Sequence, residues 1–214
     1  MNEQEGVIKY QLDHQSHEID FDITELIAWR SLLYKLELIN QHSEKYDGLS
    51  YGNISVRVGS DSDQFIISAS QTGHSERTDK KDYTLVTRYN IRENSMESIG
   101  TKRPSSEALT HAAIYEANSA IQTVIHVHSP EIWRYTKELE LSHIEKHIDY
   151  GSVEMAKAVA ELCKATPAGT VFTMLGHEDG VVAYGHSFSF SCCLLIETLA
   201  KAIQLTHSSQ NNGS

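Results

Sequence analysis

The stretch Val-Ile-His-Val-His-Ser-Pro, residues 124–130, constrains the fold more than any other part of the chain. An apolar run led by β-branched residues belongs in a buried strand. This one ends in two imidazoles a single residue apart. Residues i and i+2 of a strand point to the same face, so His126 and His128 aim at one point while Val127 faces away. Two ligands of one metal ion would be arranged this way, and so would two half-exposed histidines at a strand end.

The surrounding pattern places that strand in an α/β chain. Asp22 can cap a long helix over 22–43, in which Leu26, Ile27, Trp29, Leu32, Leu33, Leu36 and Leu38 recur at near-helical spacing. Strands follow at 53–58, 64–70 and 83–89, separated by Gly, Asp and Ser clusters. A helix is predicted from about Ser105, with Pro104 just before its start. After the strand that ends at His128 come a short helix from Pro130, an amphipathic helix after Gly151, strands at 169–176 and 180–185, and a long final helix from Phe188. Short turns between early strands and helices between later ones predict three layers, α/β/α, around a central mixed, largely antiparallel sheet. With no repeat, no linker and only three prolines, residues 1–214 read as one domain, with about 207–214 a flexible tail.

A formal net charge of −11 excludes a protein built to bind a phosphate backbone, so no nucleic-acid partner is expected. No apolar run approaches a membrane span, and the polar N-terminus is not a secretory signal, so no membrane partner is expected either. Cys163, Cys192 and Cys193, an odd count with an adjacent pair, read as free thiols of a cytoplasmic protein.

Four further stretches carry polar groups that admit a bland and a chemical reading. Ser105 and Ser106 either cap a helix or present hydroxyls beside the unsatisfied N–H groups of its positive end, where a phosphate or carboxylate can bind. Glu107 suits the first turn through the dipole, and His111 lies one turn beyond it. Asn53 sits at a loop-to-strand junction, and Thr72-Gly73 reads as a turn where the backbone can approach a ligand closely. His177 ends a strand that otherwise looks fully buried, while Asp179-Gly180 has the composition of a hairpin turn.

Taken in order, Gly-Asn-Ile-Ser-Val-Arg, Thr-Gly, Pro-Ser-Ser-Glu, His-Val-His-Ser and a later His before a glycine-led strand resemble the class II aldolase/adducin family. Its enzymes include fuculose-phosphate aldolase and ribulose-phosphate 4-epimerase, and the likeness runs from the first long helix to the last. The resemblance implies that His126, His128 and His177 hold Zn²⁺, or another divalent ion such as Mn²⁺ or Co²⁺, with Glu107 as an added ligand or as the catalytic proton carrier. It implies that Asn53, Thr72, Gly73, Ser105 and Ser106 bind the phosphate of a small phosphorylated sugar. The implied activity is that of a metal-dependent lyase cleaving a phosphorylated ketose through a metal-stabilised enediolate, in a homotetramer. Epimerisation or dehydration at the same site, or a non-catalytic adducin-like interaction module, are the alternatives. The pattern departs from the family twice. Asp179 rather than a histidine precedes Gly180, so Asp179 could replace or supplement His177. The segment after His-Val-His-Ser is shorter than in fuculose-phosphate aldolase. It lacks the family's catalytic tyrosine, for which Tyr150 or His147 would have to stand in.

Overall fold

A computed structural model describes residues 7–60 and 62–211. The central strand β8 (Thr123–His128) is buried along its whole length, as is its neighbour β11 (Gly180–Gly185). Their apolar runs carry side chains into both faces, so both faces must be covered. On either side lie β4 (Asn53–Arg57), β5 (Phe65–Ser68), β6 (Tyr83–Asn90), β7 (Ser95–Gly100) and β1 (Gln11–Ser16), then β10 (Thr170–Met174) and β9 (Ser142–Ile144). The sheet order is β1-β7-β6-β5-β4-β8-β11-β10-β9, antiparallel throughout except at its two outermost pairs. A separate two-stranded ribbon joins β2 (Asn40–Gln41) to β3 (Ser50–Tyr51).

Alternation along β8 sorts the helices into two layers. Val124 enters one core with Leu109, Ala112 and Ala113 of α2 (Ala108–Ala117) and Met155, Ala156 and Val159 of α4 (Val153–Ala165). Ile125 and Val127 enter the opposite core. There they meet Leu26 and Leu33 of α1 (Thr24–Lys35), Ile132 of α3 (Pro130–Arg134) and Leu195 and Ala202 of α5 (Phe188–Asn211). The expected α/β/α architecture with a mixed, largely antiparallel sheet is therefore present. The period of two puts His126 and His128 on the α2 side, with Val124.

Several boundaries differ from the sequence reading. The first helix stops at Lys35 because Glu37 adopts a left-handed conformation (φ 60°), closing the helix with Leu38 N–H on Leu33 O and Glu37 N–H on Tyr34 O. Leu38, placed within that helix by its spacing, instead starts the turn toward β2. Helix α2 begins at Ala108, three residues after the expected start, so Ser105 and Ser106 precede the helix and Glu107 occupies its N-cap. The strands β1, β7 and β9 and the β2–β3 ribbon escaped sequence reading: β1 is a largely exposed edge strand without an apolar run. Helix α5 continues through 207–211, into the stretch read as a tail, and residues 212–214 lie outside the described residues. By length and composition α5 could also cross a membrane, contrary to the reading that no run approaches a span. Its Phe188, Cys192, Leu195 and Ala202 are packed into the core against the sheet.

Candidate metal centre and substrate pocket

Three strands and one helix end converge at the C-terminal end of β8. Asn53 of β4 lies opposite His126 across the ladder, and Gly180 of β11 lies opposite His128. His177 comes from the five-residue loop between β10 and β11. Glu107 enters from the start of α2, where the helix dipole favours a carboxylate. The nearest ligand-type atoms of His126, His128 and His177 all lie within 4.8 Å of one another, and all three side chains are buried. Glu107 sits between two of them, with Oε2 2.8 Å from His126 Nε2 and Oε1 3.5 Å from His177 Nδ1. Asn53 Nδ2 donates to Glu107 Oε2 at 3.2 Å and so fixes the carboxylate.

The protonation pattern suits ligation. His126 Nδ1 donates to the Val181 carbonyl at 3.2 Å, which fixes the ring with Nε2 turned into the cluster, 2.8 Å from Glu107 Oε2. Burial, then the nearby His177 and His126, push the pKa of His128 well below the ordinary histidine value, so its ring is neutral. Burial alone would raise the pKa of Glu107, but charge and hydrogen bonds from His126 and His177 outweigh it and hold the carboxyl well below its usual range. Both ring nitrogens of His128 are buried without a hydrogen-bond partner, as is Asn53 Oδ1. Each such atom costs roughly 1–3 kcal/mol if left unmet. Three imidazoles and an adjoining carboxylate match the donor set of a zinc-type divalent ion with an open position.

Beside this cluster two loops meet. A bridge joins Ala69 to Pro104, Ser70 N–H bonds to Arg103 O and Ser105 N–H to Ser68 O. The small polar pocket between them is lined by Asn53, Thr72, Gly73, Ser105 and Ser106, which unites all five positions expected to hold phosphate. Gly73 lines this pocket and also has a packing role. Its Cα packs against the β2–β3 ribbon, where an added Cβ would lie 2.5 Å from Asn40 O and 2.9 Å from Ser50 Cβ. A Gly73→Ala variant is therefore expected to lose about 1–3 kcal/mol, seen as a drop of several degrees in Tm. An unchanged melting curve would show that the loop is free to move.

The remaining expectations divide. His177 reaches the cluster from a loop after β10 has ended at Met174, so no bulge in a continuing strand is needed. Asp179 takes a left-handed conformation (φ 60°), and its Oδ2 accepts from Tyr46 Oη at 2.6 Å instead of joining the imidazoles. Tyr150 is buried with its ring centroid 4.6 Å from that of His177, whereas His147 is exposed. Sequence reasoning missed Tyr46, whose ring stands edge-on to His128 at 4.4 Å. It also missed Lys9, Tyr10 and Arg30. Lys9 Nζ donates to Tyr150 O at 2.8 Å, and Tyr10 Oη donates to Ser105 O at 2.8 Å, so the segment before β1 braces the site. Only Arg30 had a legible signal: it shares the helix face of Leu26 and Leu33 at spacings of four and three.

The model of the Class II Aldolase and Adducin N-terminal domain matches residues 39–207, most of the chain. The chain belongs to this family. Solved structures with the family's fold agree along nearly their whole length. An L-fuculose 1-phosphate aldolase is 19% identical, covers 94% of this chain and 92% of its own, and superposes with a TM-score of 0.67. The L-fuculose-1-phosphate aldolase of Thermus thermophilus is 17% identical, with coverage of 89% and 95% and a TM-score of 0.67. The sugar-phosphate aldolase of Thermotoga maritima is 18% identical, with coverage of 90% and 96% and a TM-score of 0.68. At these identities the likeness establishes the fold. No curated protein matches the chain in sequence.

Proposed function

We propose that the protein is a metal-dependent lyase of the aldolase type that cleaves a small phosphorylated ketose. One observation carries the reading: a buried three-histidine cluster with Glu107 inside it adjoins a polar pocket lined by Asn53, Thr72, Gly73, Ser105 and Ser106. His126, His128 and His177 would hold Zn²⁺, Mn²⁺ or Co²⁺. When bound, the ion supplies a Lewis acid that polarises the ketose carbonyl and offsets the negative charge left on the carbon that loses its aldehyde. The chain's own groups do the rest. The two loops bind the phosphate, which orients the carbon chain toward Glu107. In cleavage a hydroxyl proton is lost at the departing carbon and a proton is gained at the carbon left behind. Glu107 is the group placed to move it, and Asn53 holds its Oε2 in register. The buried Tyr150 packs over His177 and excludes water from that side. The family supports this reading, as do the L-fuculose 1-phosphate and sugar-phosphate aldolases among the structural neighbours. The homotetramer proposed with it rests on the family resemblance alone, and the cytoplasmic location on the free-thiol reading of Cys163, Cys192 and Cys193.

The test is aldehyde release from a panel of small phosphorylated ketoses and their unphosphorylated counterparts, with protein loaded with zinc, manganese or cobalt and with chelator controls. Metal-dependent release from a phosphorylated member alone supports the reading. Protein that binds metal but only epimerises or dehydrates the panel would transfer the site to those reactions. A chain that takes up no metal would leave the adducin-like module.

A further inference from the structure

Arg30 is a buried cation outside the stretch that matches the family, and no step above uses it. A buried guanidinium ordinarily faces a carboxylate. Among the described residues this one ends on backbone carbonyls instead. Its Nη2 donates to Thr72 O at 2.9 Å and Gly73 O at 3.1 Å, and its Nη1 to Glu76 O at 3.4 Å and to Ser75 O. Burial lowers its pKa from the ordinary arginine value, which is high enough that the group stays charged at neutral pH.

The loop it grips is the one that lines the polar pocket through Thr72 and Gly73. A trans peptide sets each C=O opposite to the N–H that follows it. With the Thr72 and Gly73 carbonyls turned onto Arg30, the N–H groups of Gly73 and His74 point away from it. The same loop is held at other points by Gln71 Oε1, which accepts from Ser50 N–H at 3.1 Å, and by the packing of Gly73 on Asn40. Two effects then add at the pocket. The loop's peptide dipoles are ordered with their positive ends away from the guanidinium, and the guanidinium that holds their carbonyls makes no ion-pair contact with a carboxylate among the described residues. In a chain of net charge −11, a local device of this kind is what an anion needs.

We propose that Arg30 is the positioning residue of the anion pocket, and that its charge, acting through the loop of Thr72 and Gly73, gives the pocket its preference for a dianionic phosphate over a singly charged or neutral group. The inference rests on the proposed phosphate role of that pocket. A purely structural staple would be needed for folding but would not discriminate between charge states of a ligand.

The experiment measures inorganic phosphate binding calorimetrically to the metal-loaded full chain, on both sides of phosphate's second ionisation, for wild type, Arg30→Gln and Arg30→Lys. The wild type is expected to bind more tightly as the dianion forms. In Arg30→Gln, affinity for the dianion falls roughly tenfold or more and the preference for it disappears, with metal content unchanged. Arg30→Lys keeps the charge but loses the planar fork, so Tm falls while the dianion preference persists. A folded Arg30→Gln that keeps the wild-type preference overturns the inference and leaves the phosphate reading intact. If Arg30→Gln does not fold, Arg30→Lys decides alone: preference kept supports the proposal, preference lost overturns it. A wild type that binds no phosphate removes the phosphate reading itself, and the inference with it.

Discussion

In a His126→Ala/His128→Ala double variant, metal content falls to background and ketose cleavage disappears. Both imidazoles sit on the α2 face of β8 and, with His177, form the cluster of potential ligands. Their removal leaves one histidine, which cannot hold a divalent ion against water and buffer. The loss in turnover should exceed the roughly 10–100-fold that follows when only an outer-shell partner of a metal ligand is removed. Folding should survive. The His128 substitution deletes a ring whose two nitrogens are buried without a hydrogen-bond partner, each costing roughly 1–3 kcal/mol, which partly offsets the cavity it leaves. Elemental analysis and thermal melting of the same preparations check both halves. Stoichiometric metal in the double variant would sink the assignment of the site.

The second large effect is expected at Glu107. Glu107→Gln preserves size, and its amide oxygen can accept from Asn53 Nδ2 in place of the carboxylate. The variant therefore keeps that contact and loses the carboxylate charge and the ability to carry a proton. A fall in kcat of about 10²–10⁴-fold is expected, the range for a positioned general acid–base group. Metal content should stay near the wild-type level, because three imidazoles are retained. The pair of readouts separates the two roles that a carboxylate at this point could have. If metal is lost along with activity, Glu107 is needed as a ligand. If kcat hardly changes, the proton carrier is another residue, and Tyr150, packed on His177, is the next to replace.

Much of this site was legible because its chemistry is local in sequence. A period of two in a buried strand put His126 and His128 on one face, and the Pro-Ser-Ser-Glu motif marked Glu107 even though α2 begins three residues later than its periodicity implied. The late start matters chemically: it leaves Ser105 and Ser106 in a turn that lines the pocket instead of capping the helix. The contact of Tyr46 with Asp179 spans 133 positions and depends on consecutive left-handed residues at Tyr46, Asp47 and Gly48. Aspartate and glycine visit that region readily, but nothing about Tyr46 as a residue type announces it. Lys9 and Tyr10 brace Tyr150 and Ser105 from a segment without an apolar pattern, so their neighbours could not be read from spacing.

The amino-acid sequence by itself determined the α/β class and the main strands and helices, and it singled out the polar groups that are candidates for chemistry. These follow from short-range regularities: the periods of strand and helix, the preferences of turn residues, and donor types at fixed spacing. Only the tertiary structure decided which of those groups meet. It brought His177 to the β8 histidines from a loop, tied Asp179 to Tyr46, and set Gly73 against Asn40. It also placed Arg30 behind the pocket loop. The physical reason is that such contacts join segments far apart in the chain. Their geometry is fixed by the close packing of two cores around one sheet, and no local preference encodes it.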